Sequence, residues 1–173
     1  MTDQAFADRL VAEMPRLRGF AISLSGSITA ADDLVQETLV RAWQHADSFE
    51  TGTNFRAWLL TILRNRYFSD YAKRRREIQD SDGSYAEQMT VSGDQELKLE
   101  VRDMGRALAK LSPEHRELLL LIGLGEVSYE EAAEICQVPM GTIKSRANRA
   151  RARLAEALNI ITSTPLSLNE RSL

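Results

Sequence analysis

A polar segment without helical periodicity, residues 77–93, divides the chain into two parts in which apolar residues recur every three or four positions. The segment is rich in Asp, Ser and Gly, a composition that favours a linker over a packed element. Between residues 77 and 100 the chain carries seven acidic residues and one lysine. The pattern predicts an all-α protein of two small helical domains, residues 4–76 and 101–159, joined by a flexible acidic linker, residues 77–100.

The composition narrows the class of protein. No apolar run approaches the roughly 20 residues that cross a bilayer, and the first residues do not form a signal peptide, which predicts a cytoplasmic protein without a membrane partner. The single Cys136 excludes an internal disulfide, and two histidines argue against a zinc site. Because no nucleophile or phosphate-cradling loop is visible, we expect no enzymatic activity, no metal and no cofactor.

The net charge of −3 conceals two basic patches. Residues 64–76 hold six basic residues and one acid, and residues 142–153 hold five basic residues and no acid. Basic patches of this kind are the electrostatic footprint expected of a protein that binds nucleic acid.

The second patch lies on a predicted helix, residues 140–158, that follows a short helix and a turn. Ser128 and Glu131 have the spacing of a capping box, which predicts a short helix ending at Cys136, and Pro139 and Gly141 lie in the turn. This order is typical of a helix-turn-helix, whose second helix enters the major groove. The alternative reading is a solvated basic helix face. Residues 160–173 are expected to form a disordered tail.

A helical wheel divides the last helix into a buried stripe and a reading face. Ile143, Ala147, Ala150 and Leu154 form the stripe. The other residues, short and hydrogen-bonding or long and cationic, are predicted to bind base edges and phosphates: Thr142, Lys144, Ser145, Arg146, Asn148, Arg149, Arg151 and Arg153.

The first part is predicted to contain helices at about residues 4–24, 30–45 and 54–75, with Pro15 kinking or splitting the first. The outward face of the second helix carries Asp33, Gln36, Glu37 and Val40. Periodicity does not decide whether this face is only solvated or docks a basic partner helix. In the third helix, Tyr67, Phe68 and Tyr71 are either core residues or platforms on which single-stranded bases stack.

Several motifs together resemble bacterial sigma factors of the extracytoplasmic-function group. The sequence contains, in that group's order, DDLVQET, FRAWLLTILRN followed by KRRR, LSPEHRELLLL, SYEEAAEIC and VPMGTIKSRANRARARL. The resemblance covers residues 6–158. The segments GTNFRAWLLTILRN and KRRREIQD are most similar to the alphaproteobacterial general stress response subgroup, often called EcfG.

The resemblance implies a promoter-specificity subunit of RNA polymerase, probing DNA with both domains. The first would be sigma region 2, with Asp33, Gln36, Glu37 and Val40 docked on the coiled coil of the polymerase beta-prime subunit. The second would be sigma region 4, reading the minus-thirty-five element. Contacts to the melted minus-ten element would come from Ser48, Phe49, Asn54, Arg64, Asn65, Lys73, Arg74, Arg75 and Arg76.

The resemblance also implies regulation by a protein partner. An anti-sigma factor resembling NepR would hold the chain inactive, and a response regulator, PhyR, would release it. Two other functions remain open at this point. One is an autonomous helix-turn-helix regulator that binds a palindrome as a dimer, and the other is a mimic that titrates an anti-sigma factor without touching DNA.

Overall fold

The computed structural model describes residues 3–80 and 99–163, and these residues form helices connected by short turns, with no strand among them. Seven α-helices and one short 3-10 helix (Ala46–Ser48) make up the described part of the chain. The helices are α1 (Asp3–Ser25), α2 (Ile28–Gln44), α3 (Phe55–Asp80), α4 (Leu99–Ala109), α5 (Pro113–Gly123), α6 (Tyr129–Cys136) and α7 (Met140–Ser163). The predicted all-α class is confirmed.

The first unit is built from α1, α2 and α3 around one apolar core. Gly26 adopts a positive φ of 70° after α1, and the Ser27 hydroxyl accepts a hydrogen bond from the Ala30 amide, which begins α2. Leu24 and Leu63 are fully buried between the helices. This arrangement leaves the other side of α2 open to solvent.

Pro15 does not split α1, contrary to one of the two outcomes expected from the sequence. The residue is exposed, and the helix continues for ten residues beyond it to Ser25. Pro15 has no N–H to donate to the carbonyl oxygen of Val11, and because Val11 is exposed, water can bind that oxygen instead. Met14 belongs to the apolar repeat of this helix, but it is also exposed.

The second unit contains the helix-turn-helix that the sequence predicts. The Ser112 hydroxyl caps α5 with Pro113 at the first helical position, and Ser128 and Glu131 form both bonds of the capping box at the start of α6. Gln137 adopts a left-handed conformation at the end of α6, with φ of 55°. That residue turns the chain so that Ile143 of α7 is buried against the two shorter helices.

The helix ends differ from the predicted boundaries. Residues 77–80 continue α3 and residues 99–100 begin α4, although we predicted them to be linker. Residues 160–163 continue α7, although we predicted a disordered tail. The residues that extend α3 include Glu77 and Gln79, which have good helix propensity, and Glu77 Oε1 lies 4.0 Å from Lys73 Nζ, one turn earlier. The rest of the predicted linker and tail, residues 81–98 and 164–173, lies outside the described residues.

The two units pack against each other, which the sequence did not predict. Helices α1 and α3 of the first unit contact α5 and α6 of the second. Arg116 of α5 is 1% exposed and donates a hydrogen bond of 2.9 Å to the carbonyl oxygen of Leu24, at the end of α1. The apolar core is continuous across this boundary.

Candidate nucleic-acid interface

Helix α7 presents the predicted reading face to solvent. Ile143, Ala147 and Ala150 are fully buried, and Leu154 is half-buried, as the wheel predicts. The exposed residues of the predicted face are Lys144, Ser145, Asn148, Arg149, Arg151 and Arg153, and Thr142 and Arg146 are half-buried. Helix α7 can therefore approach a DNA groove without rearrangement of its own domain.

Two arginines of this face are held by neighbouring side chains. Arg149 lies along the helix and donates 3.3 Å hydrogen bonds to the hydroxyl and the carbonyl oxygen of Ser145. Arg151 donates a 2.7 Å hydrogen bond to the hydroxyl of Tyr129, and its guanidinium lies 5.9 Å from the centre of that ring. Tyr129 is the first residue of α6 and packs half-buried against the core. Sequence reasoning missed it, because only the fold brings residues 129 and 151 together.

The electrostatic effect of α7 extends to His115. Burial lowers the pKa of its imidazole, and the positive charges of Arg153, Arg149 and Arg146 lower it further. These three arginines of α7 therefore lie close enough to α5 to act on one of its side chains.

Helix α2 presents its acidic face outward, as predicted. Asp33 and Gln36 are exposed, and Val40 is 53% exposed. Glu37 Oε1 accepts a 2.7 Å hydrogen bond from Arg41 Nε, one turn further along the helix. This hydrogen bond lowers the pKa of the Glu37 carboxyl. Trp43 extends the apolar end of the face, with 49% of its surface exposed.

The loop between α2 and α3 differs in one respect from the predicted base-binding loop. Phe49 is only 7% exposed and packs edge-on against Phe55, with ring centres 5.0 Å apart. Arg9 of α1 lies over both rings. The ring therefore anchors the loop in this structure, and its contact with a base stays a prediction. Ser48 is exposed.

Helix α3 carries the other residues predicted to contact the melted strand. The exposed residues are Asn65, Lys73, Arg74, Arg75 and Arg76. Tyr67 is a core residue, 5% exposed, and its hydroxyl donates a 3.4 Å hydrogen bond to the Leu24 carbonyl. Phe68 and Tyr71 are half-buried and lie beside Tyr67, so neither offers a fully open stacking surface.

Two of the predicted strand-binding residues instead contact the second unit. Arg64 Nε donates a 2.6 Å hydrogen bond to Glu117 Oε1 of α5, which forms an ion pair, and Glu117 is 2% exposed. Asn54 Nδ2 donates a 2.8 Å hydrogen bond to Glu131 Oε1 of α6. The sequence does not reveal either contact, because the partners lie 53 and 77 residues apart.

The geometry agrees with two family models that together cover both units. Sigma-70 region 2 matches residues 10–77, and Sigma-70 region 4 matches residues 102–154. The chain is also 52% identical over 160 residues to the ECF RNA polymerase sigma factor EcfG of Rhodopseudomonas palustris, which covers 92% of this chain and 88% of that protein. The chain belongs to the extracytoplasmic-function family of RNA polymerase sigma factors. Its first unit is region 2 and its second is region 4.

Solved structures of sigma factors share this fold. The sigma factor RpoE of Bartonella quintana, solved in complex with the anti-sigma factor NepR, is 49% identical and superposes with a TM-score of 0.83 over 91% of this chain and 98% of its own. CnrH, solved with the cytosolic domain of CnrY, is 27% identical with a TM-score of 0.67, over 92% of this chain and 90% of its own. The likeness to both extends over regions 2 and 4 together.

Residues 3–80 and 99–163 contain neither a candidate membrane span nor a candidate metal site. None of the helices there has the length and apolar character needed to cross a membrane. Within the same ranges, no group of three His, Cys, Asp or Glu side chains is placed to hold a metal ion.

Glu117 lies at the contact between regions 2 and 4, and its surroundings shift its pKa. Burial raises the pKa of its carboxyl to about 7, Arg64 and Arg146 act in the opposite direction, and Glu114 adds to the rise. Cys136 also faces this carboxyl, and burial raises the pKa of its thiol to about 12. Between the usual pKa of 4.5 and about 7, the folded chain therefore binds more protons at Glu117 than the unfolded chain does.

We predict that Glu117→Gln flattens the pH dependence of stability. The contribution of Glu117 to the free energy of unfolding is fully present at acid pH and decreases as pH rises through about 7. Urea unfolding at a series of pH values measures this slope. The matched control is Glu134→Gln, at an exposed position of α6, which should keep the wild-type slope. Equal slopes in wild type and Glu117→Gln would contradict the prediction.

Tyr129→Phe tests whether the tyrosine positions Arg151 for DNA. Loss of the hydroxyl removes the hydrogen bond and frees the arginine, which should weaken binding to promoter duplex by about two- to five-fold. Fluorescence anisotropy measures the affinity of wild type, the two single variants Tyr129→Phe and Arg151→Ala, and the double variant. In the Arg151→Ala background Tyr129→Phe should have no further effect. Additive losses would show that the tyrosine acts on its own.

Proposed function

We propose that this protein directs core RNA polymerase to promoters of general stress response genes and is held inactive in the cytoplasm by an anti-sigma factor. The observation that carries the proposal is that one chain presents both an open, cationic reading helix in region 4 and an outward acidic face on α2 of region 2. The 52% identity to EcfG supports the assignment to the stress response.

Region 4 would read the minus-thirty-five element through α7. The short side chains at the centre of its face, Ser145 and Asn148, allow hydrogen bonds to base edges in the major groove. The arginines at the rims would bind phosphates and fix the helix in register. About five phosphate contacts would give a log–log salt slope of roughly −4 to −5.

Region 2 would serve as the polymerase contact and the second DNA contact. On α2, Asp33, Gln36, Glu37 and Val40 would meet the coiled coil of the beta-prime subunit, since acidic and apolar groups fit a basic amphipathic partner helix. The minus-ten contacts would come from exposed residues of the loop and α3, together with Asn54 and Arg64 once these leave region 4. The exposed residues are Ser48, Asn65, Lys73, Arg74, Arg75 and Arg76.

The protein partner would be an anti-sigma factor resembling NepR. The support is the match to the sigma factor RpoE, whose solved structure contains NepR, at a TM-score of 0.83 over both regions. A partner bound to both regions would hold them together and keep the α2 face and α3 from polymerase and DNA.

Run-off transcription with core polymerase tests the proposal. Added to core enzyme, the protein should give promoter-dependent transcripts, and the double change Lys144→Ala and Arg149→Ala should reduce them by about ten-fold or more, since it removes two contacts of the reading face. The matched control is Arg102→Ala with Lys110→Ala, which removes two exposed cations, one from α4 and one from the turn after it. An autonomous regulator would give no transcript with core enzyme. Unaltered output from the Lys144 and Arg149 variant would favour a mimic that titrates an anti-sigma factor.

Charge reversal on α2 tests the docking face separately. Asp33→Lys with Glu37→Lys should weaken binding to core polymerase by at least about ten-fold, because like charges then face each other, and should leave the fold intact because neither side chain is buried. Binding is measured by competition for labelled core enzyme, and circular dichroism reports folding. Asp8→Lys with Glu50→Lys changes the same charge at other exposed positions of region 2. If both double variants bind core equally, the docking face is elsewhere.

A further inference from the structure

Region 4 meets region 2 with three carboxylates, and each of them is bonded to the first half of α3 or to the residue before it. Arg64 binds Glu117 at 2.6 Å, and Asn54 binds Glu131 at 2.8 Å. Arg56 binds Glu126, and its guanidinium also binds Glu13 of its own region. The three carboxylates come from α5, the loop after it and α6. Together we call Glu117, Glu126 and Glu131 the carboxylate face of region 4.

The pair between Arg64 and Glu117 is shielded from water, unlike an ordinary surface pair. The Glu117 side chain is 2% exposed and that of Arg64 is 19% exposed. The guanidinium also lies 4.8 Å from the centre of the Phe68 ring. Carboxylate and phosphate oxygens accept the same hydrogen bonds from a guanidinium, so Arg64 cannot satisfy Glu117 and a DNA phosphate with the same donor at once.

The backbone of region 4 is shaped for this close approach. A side-chain carbon at Gly125 would lie 3.0 Å from Leu60 Cδ1 of α3 and 2.5 Å from the Leu121 carbonyl oxygen. Glycine at this position therefore allows the loop to lie on α3, and it places Glu126 beside Arg56. Arg116 fastens the same side of region 4 to the end of α1 through the Leu24 carbonyl.

The same arrangement leaves the other DNA-binding surface free. Lys144, Ser145 and Asn148 of α7 remain exposed while Asn54 and Arg64 are bonded to region 4. The contacts between the regions therefore cover part of the surface predicted to bind the melted strand and not the face predicted to read duplex DNA.

We propose that the carboxylate face of region 4 is an intramolecular ligand for α3 that competes with the promoter strand for Asn54 and Arg64. The proposal rests on the proposed function only for the assignment of these two residues to DNA. While the regions are packed together, region 4 can scan duplex DNA, and region 2 can use Asn54 and Arg64 to bind single-stranded DNA only after the carboxylate face has been displaced. Core polymerase, by separating the two regions, would release Asn54 and Arg64 together.

A charge reversal at the edge of the face tests the competition in the full chain without polymerase. Glu126→Lys places a cation against Arg56 and should favour separation of the regions. The side chain is exposed, so region 4 should remain folded. Glu130→Lys, four residues further on at an exposed position of α6, makes the same change of charge away from these contacts.

Two measurements compare these variants. Small-angle X-ray scattering should give a larger radius of gyration for Glu126→Lys than for wild type or Glu130→Lys. A short fluorescein-labelled oligothymidine should bind Glu126→Lys about three-fold more tightly than Glu130→Lys, the size expected when a partly exposed pair becomes a repulsion. Duplex DNA of the same length should bind the two variants equally, because the α7 face is free in both states.

A cross-link supplies the opposite perturbation. In a Cys136→Ala background, cysteines introduced by Arg56→Cys and Glu126→Cys are joined by a short bis-maleimide. The cross-linked protein should bind oligothymidine more weakly than the same protein before cross-linking, and both should bind duplex equally.

The proposal is overturned if Glu126→Lys and Glu130→Lys have the same radius of gyration and oligothymidine affinity, or if the cross-linked protein binds oligothymidine as well as its uncross-linked form. These outcomes are distinct from failure of the proposed function. A chain that opens and binds oligothymidine as described, but gives no transcript with core polymerase, would retain the intramolecular competition and lose the sigma-factor role.

Discussion

The Arg116 guanidinium, 1% exposed, donates hydrogen bonds to the carbonyl oxygens of Leu24, Leu108, Ala109 and Leu111. A buried cation is costly unless its donors are satisfied, and here four backbone acceptors offset the loss of water. The acceptors lie at the ends of α1 and α4 and in the turn before α5. One side chain therefore fixes the start of region 4 and joins it to region 2, and the other contacts between the regions form around it.

The packing of the two regions affects two sets of DNA-binding groups differently. Those on α7 belong to a helix whose buried stripe packs within region 4, so they are presented whether or not region 2 is attached. Those at the start of α3 face region 4 and are bonded to its carboxylates. The acidic residues of region 4, which the sequence shows only as part of an ordinary capped helix-turn-helix, are what separates the two sets.

Local signals in the sequence predicted much of the fold. The capping box at Ser128, the Ser112–Pro113 helix start and the stripe at Ile143, Ala147 and Ala150 are all present, because each depends on residues within one or two helical turns. The helix ends at residues 77–80, 99–100 and 160–163 were predicted wrongly. Polar side chains at residues 77–80 give no periodic signal that separates an exposed helix from a linker, and the Ser- and Thr-rich composition of residues 160–173 favoured a tail.

By itself, the sequence determined the helical class, the division into two units, the motifs that identify a sigma factor and the composition of the reading face. Only the tertiary structure decided that Phe49 is an anchor of its loop, that Tyr129 holds Arg151, and that Asn54 and Arg64 are bonded to region 4. The physical reason is sequence separation. Helical periodicity assigns a residue to a face, but the partner of that face is chosen by the packing of helices that are far apart in the chain.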